Sequence, residues 1–202
     1  MNFLELHQFI KEDSLIYSWI KKKFHLSTQR LEAGQDFLMN NEHIIIVEKG
    51  LLIQESMDGN SNVQRMFVNQ QVIFTTKESL LLLALESTTF NIVLAEELFD
   101  MLEKQQLLQH FFLQIAENFE RDLECEKMLV STYPEKRIEM ILTKIINLYN
   151  LDPVENPTFP KWLKKYILAK LAKCSVTKTS MIINKLVERG VINVNSTPWL
   201  LT

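Results

Sequence analysis

The stretch that decides the fold runs from residue 168 to residue 192 and reads LAKLAKCSVTKTSMIINKLVERGVI. Its apolar residues follow a helical period in two phases. Leu163, Ile167, Leu168 and Leu171 precede a break at Lys173-Cys174-Ser175, and Ile182, Ile183, Leu186 and Val187 follow it. Ala169 and Ala172 are small enough to let a second helix cross close by. Ser175 offers a hydroxyl to the orphan N–H groups of a first turn, and Gly190 stands where a left-handed residue ends a helix. The second helix therefore runs from Ser175 to Glu188 and buries Thr179 or its neighbours. Beyond it, Val191 to Val194, the turn Asn195-Ser196-Thr197-Pro198 and Trp199-Leu200-Leu201 make a hairpin of the size of a wing.

Helix, short turn, helix and wing form a DNA-binding arrangement when the second helix has short or polar side chains at its outward N-terminal end, because that end must sink into the major groove. Thr177, Lys178, Ser180 and Met181 meet the requirement, and Ser175 and Lys185 add a hydroxyl and a cation in reach of phosphates. The charge distribution agrees. Residues 1 to 133 hold 11 Lys and Arg against 20 Asp and Glu, whereas residues 134 to 202 hold 11 against 5. After Pro160 eight cations face one anion, Glu188. A basic module on an acidic body suits a polyanion, double-stranded DNA above all. The competing explanation is a solvated lysine-rich face on an αα-hairpin within a core.

Upstream, residues 3 to 23 carry apolar positions (Phe3, Leu6, Phe9, Ile10, Leu15, Ile16, Trp19, Ile20) that suit short amphipathic helices. From Phe24 the texture turns to short runs rich in Ile, Val and Phe: 43–47, 51–55, 63–68, 72–75, 80–86 and 89–94. Gly34, Gly50 and Asp58-Gly59-Asn60 punctuate them, which predicts an antiparallel roll. Helical texture returns at 96–104 and over 106–131. There Leu108, Phe112, Ile115 and Phe119 fall at spacings of four, three and four and predict a dimer seam, the alternative being packing on the chain's own roll. Asp122 and Glu126 continue that register with acids, so the seam drifts toward Leu123 or ends. Pro134 suits the first turn of a further helix with Ile138, Ile141, Leu142, Ile145 and Leu148 inside, and 151–160 reads as a loop. The expected class is α+β: a β-roll domain with N-terminal helices over 1–105, a long dimerisation helix over 106–133, and a winged helix-turn-helix over 134–202.

Among the 202 residues no apolar run is long enough to cross a bilayer, so a cytoplasmic protein is expected. Cys125 and Cys174 match no metal spacing and read as free thiols. His25 and His43 are conceivable metal or haem ligands, though surface histidines explain them better. No metal or cofactor is evident, and with only four glycines there is no phosphate-binding loop and no sign of an enzyme.

The whole succession resembles the Crp/Fnr family of bacterial transcription regulators. The resemblance is most specific at residues 168–192, with VEKG at Val47 to Gly50 and FVNQQVIF at Phe67 to Phe74 similar to the family's roll. The short wing and missing tail are similar to the listerial PrfA-like branch. The resemblance implies a homodimer on a two-fold DNA site, with RNA polymerase as a further partner. It places Val176, Thr177 and Met181 at base edges, Lys178, Thr179 and Ser180 partly on phosphates, and Lys164, Lys165 and Tyr166 on the backbone. Apolar Val176 and Met181 suit thymine methyls, hence an A·T-rich site. Family members that bind cyclic nucleotides carry Gly-Glu and later Arg-Ser/Thr-Ala. The corresponding segment TTKESLLLLALESTTFNIV has neither, and no arginine lies between Arg65 and Arg121, so cyclic AMP is not the expected ligand; Lys77 is left to serve some other anion. The second class of function is a ligand-binding or protein-interaction module that keeps the fold without specific DNA binding.

Overall fold

A computed structural model describes residues 15–24, 27–55, 63–76 and 79–202. The helical pattern expected over residues 3–14, His25, the Asp58-Gly59-Asn60 turn and Lys77 lie outside the described residues. The chain divides into two compact units, one ending at Leu123 and the other running from Glu124 to Thr202.

The first unit is an antiparallel roll. One sheet has the order β1-β8-β3-β6, from Ser27–Leu31, Thr88–Leu94, His43–Lys49 and Val72–Ile73. The other has the order β2-β7-β4-β5, from Asp36–Asn40, Ser79–Ala84, Leu52–Glu55 and Val63–Phe67. Strand β3 shows why the sequence folds this way. Its run Ile44-Ile45-Ile46-Val47 is wholly buried, since alternate side chains enter different cores. Ile45 and Val47 join Met39, Leu52, Phe67, Leu80, Leu82 and Phe90 inside the roll. Ile44 and Ile46 join Tyr17 and Ile20 of helix α1 (Leu15–Lys23), Leu98 and Leu102 of α2 (Ala95–Lys104), and Phe111. Each such side chain contributes about 1.5–3 kcal/mol of transfer free energy. At the β3–β4 connection Gly50 has φ +104°, and a Cβ there would meet Thr88 Oγ1 at 2.5 Å and Thr88 Cα at 2.7 Å. Thr88 Oγ1 in turn accepts from the Leu51 amide at 3.1 Å.

Helix α3, Leu108–Ser131, is 24 residues long. It divides the residues of the predicted seam. Leu108 and Ile115 pack against the cluster that holds Phe111, whereas Phe112 and Phe119 stay 42% and 47% exposed. The reason is the helical period. Leu108, Phe111 and Ile115 share the face that the roll covers, so the 108-112-115-119 register straddles two faces. Of its exposed apolar positions, Phe112, Ala116, Phe119, Leu123 and Val130 share one stripe, while Leu113 and Met128 lie off it. Arg65 stands over the Phe119 ring at 4.2 Å and over Phe67 at 4.8 Å, and its Nη2 lies 2.7 Å from Asp122 Oδ2.

The second unit is mostly helical. Helix α4, Pro134–Tyr149, begins with its proline in the first turn and buries Ile138, Ile141, Leu142 and Ile145. Helices α5, Lys165–Leu171, and α6, Val176–Glu188, pack on it and on each other. A two-stranded hairpin, β9 (Ile192–Asn193) with β10 (Leu200–Leu201), closes the unit. The segment before α5 holds the hairpin in place: the Phe159 amide donates to Trp199 O at 2.9 Å and the Leu201 amide to Pro157 O at 2.7 Å.

Candidate nucleic-acid interface

The α5–α6 turn is built from backbone chemistry that its sequence allows. Lys173 adopts φ +52°, and the Cys174 amide returns to Ala169 O at 2.9 Å, which satisfies a carbonyl at the end of α5. The chain then leaves in extended geometry through Ser175, whose Oγ accepts the Lys178 N–H at 3.2 Å and caps α6. At the other end Gly190, at φ +67°, and Val191 close the helix, their amides donating to Val187 O at 3.0 Å and Leu186 O at 2.9 Å. Cys174 sits in the turn, where burial pushes its thiol pKa up in spite of the cations of Arg137 and Lys178.

Between these caps α6 buries Thr179, Ile182, Ile183 and Leu186 and presents the opposite face to solvent. Thr177, Met181 and Asn184, at spacings of four and three, form the middle of that face. Val176 and Ser180 flank it on one side and Lys178 on the other, with Val176 51% and Met181 55% exposed. At the start of α5, Lys164 and Tyr166 are exposed and Lys165 half-buried.

Cations around α6 sort by position. Lys185 Nζ lies 4.0 Å and Arg189 Nη2 3.7 Å from the Glu135 carboxylate, at the C-terminal half of the helix. Among the described residues no carboxylate pairs with Lys164 or Lys165 at the start of α5, or with Lys178 in the first turn of α6. The helix dipole adds positive potential at that same end. An outward face of short, polar and apolar side chains, flanked by unpaired cations, can lie in a groove between phosphates.

No protein-family model and no curated protein matches the sequence. Solved structures do. FixK2 from Bradyrhizobium japonicum shares 11% identity over 88% of this chain and 92% of that one, with a TM-score of 0.72. A cyclic nucleotide-binding domain containing protein from Listeria monocytogenes EGD-e shares 16% over 94% and 97%, with a TM-score of 0.71. A CRP/FNR family transcriptional regulator from Thermus thermophilus shares 17% over 87% and 93%, with a TM-score of 0.65. The chain has the Crp/Fnr fold.

Within the Crp/Fnr fold the predicted contact residues separate. Val176, Thr177, Lys178 and Met181 are brought together on one exposed surface, with Ser175 and Ser180 at its edge. Thr179 is a correction. It is 0% exposed, and its hydroxyl has no hydrogen-bond partner, because position 179 shares the inward face with Ile182, Ile183 and Leu186. Lys185 leans toward Glu135 and away from the N-terminal end. Asn184 was missed by sequence reasoning, although its place seven residues after Thr177 puts it on the same face. Among the described residues no three His, Cys, Asp or Glu side chains converge on a metal-sized site, and His43 Nδ1 lies 2.6 Å from Asn40 Oδ1. No helix among them is long and apolar enough to cross a membrane.

Proposed function

We propose that this chain is a Crp/Fnr-type transcription regulator that binds double-stranded DNA sequence-specifically as a homodimer. The observation that carries the reading is the exposed face of α6: Thr177, Met181 and Asn184 between Val176 and Lys178, on a helix whose first turn holds Lys178 with no acidic partner among the described residues. Asn184 pairs with an adenine edge and Val176 and Met181 with thymine methyls, which favours an A·T-rich site. Lys164, Lys165 and Tyr166 take the phosphate backbone.

A second copy completes the site. The α3 stripe Phe112, Ala116, Phe119, Leu123 and Val130 repeats at coiled-coil spacing with apolar side chains left in solvent, and an identical stripe satisfies it in a two-fold pair. The roll acts without cyclic AMP. Its interior is filled by Met39, Ile45, Phe67, Leu80, Leu82 and Phe90, and no arginine between Arg65 and Arg121 is available to clamp a phosphate. RNA polymerase is the further partner, and the cytoplasm the compartment, that this role requires.

The test is selection of bound duplexes from a random pool, followed by titration at physiological salt. A two-fold A·T-rich site bound roughly a thousandfold or more above random duplex is expected. Equal affinity for selected and random DNA overturns the reading in favour of a ligand-binding or protein-interaction module. Calorimetry with cyclic AMP is expected to give no heat of binding.

A further inference from the structure

The exposed stripe of α3 has one charged member. Continuing its four-three spacing, Phe112, Ala116, Phe119, Leu123, position 126 and Val130, places Glu126 in an otherwise apolar row. In a two-fold pair of such helices the two copies of position 126 approach each other, and two carboxylates leaving water together repel and lose hydration. The chain supplies a counter-charge. Lys173 Nζ donates to Glu126 Oε1, with the two side chains 21% and 37% exposed.

Lys173 is no ordinary surface lysine. It is the left-handed residue of the turn between the two helices of the DNA-binding motif. Its carbonyl accepts from Arg137 Nη1 at 3.3 Å, and the same guanidinium donates to Val130 O at 3.1 Å and Thr132 O at 2.7 Å, at the end of α3. The turn is thus held to α3 twice, by its backbone through Arg137 and by its side chain through Glu126. All of these residues belong to the second unit.

We infer that the Lys173–Glu126 pair couples dimer closure to the placement of the recognition helix. With the turn docked on α3, Glu126 is neutralised and the stripe accepts a second copy. With the turn displaced, two bare carboxylates oppose each other in the seam. By reciprocity, dimer closure stabilises the docked turn and so the setting of α6. The inference rests on the reading of α3 as the contact between two copies.

Sedimentation of the full chain tests it, with circular dichroism to confirm folding. Lys173→Gln is expected to raise the dimer dissociation constant about tenfold, and Glu126→Gln added to it to restore the constant to within about threefold of wild type. Lys173→Arg keeps the cation and is expected to leave the dimer unchanged. If Lys173→Gln does not fold alone, the comparison of Lys173→Arg with the Glu126→Gln/Lys173→Gln double variant decides: dimers of like affinity support the coupling, and a weak double variant overturns it. A wild-type dimer whose constant ignores Lys173→Gln, or whose two substitutions merely add, overturns the inference and leaves the dimer reading standing. A wild type that stays monomeric at tens of micromolar overturns both.

Discussion

Thr179→Val separates a core role from a contact role at the position where sequence and structure differ most. Thr179 is 0% exposed and its Oγ1 meets no donor or acceptor, although it lies in the first turn of α6, the proposed recognition helix. An unsatisfied buried hydroxyl costs about 1–3 kcal/mol. Valine has the same shape and β-branching, so α6 loses neither packing nor much helix propensity. Replacing the hydroxyl by a methyl therefore stabilises the second unit by about 1–2 kcal/mol. Trp162 and Trp199, 9% and 7% exposed, report that unit's unfolding by fluorescence. For a slope of about 1–3 kcal/mol/M the urea midpoint moves up by roughly 0.3–2 M. DNA affinity is expected to stay within about twofold of wild type, since the outward face is untouched. A lower midpoint would mean that the hydroxyl has a partner that the geometry does not show. Weaker DNA binding by Thr179→Val with full binding by Thr179→Ser would put the hydroxyl on the DNA and refute the burial argument.

Gly50→Ala is expected to destabilise the roll by about 2–4 kcal/mol, because an L side chain at φ +104° adds backbone strain to a Cβ 2.5 Å from Thr88 Oγ1; thermal melting checks it. Ser175→Ala removes the acceptor of the Lys178 N–H and should cost about 1 kcal/mol of stability, with a parallel loss of DNA affinity as the groove-facing turn frays. Lys178→Ala should weaken binding to all duplexes alike and lower the slope of log affinity against log salt by up to about one unit; an unchanged slope removes Lys178 from the phosphate contacts. Asn184→Ala should relax preference at one adenine position by about 1–3 kcal/mol, read from selected sites, while leaving the salt slope intact.

Much of this architecture is legible from sequence because local devices announce it. Ser175 and Gly190 bound α6, Pro134 opens α4, and β3 declares itself by four consecutive β-branched residues. Strand β1, Ser-Thr-Gln-Arg-Leu, does not: it is an edge strand exposed along most of its length, so it carries no alternation to read. The exposed face of α3 was hard to read for a related reason. A 24-residue helix with apolar residues on two faces satisfies heptad spacing in more than one register, and only the covering of Leu108 and Ile115 by the roll shows which face remains. Thr179 hid its burial behind a polar side chain. Arg137 and Lys173 hid their roles behind a count of surface cations.

A lysine-rich face alone does not distinguish DNA binding from mere solubility, and the proposal of DNA binding draws on how the cations after Pro160 divide into groups. Lys173 is committed to Glu126, and Lys185 and Arg189 stand near Glu135, so these three organise the second unit internally. Lys164, Lys165 and Lys178 have no acidic partner among the described residues and lie around the beginnings of α5 and α6. A solvated face would gain from intermixed acids, which shield like charges at small cost. Bare cations at the two helix starts repel one another, a cost that salt screens and that a bound polyanion would relieve. The difference is measurable: neutralising Lys164, Lys165 and Lys178 should raise stability at low salt while abolishing DNA binding, whereas neutralising Lys173 should damage assembly first.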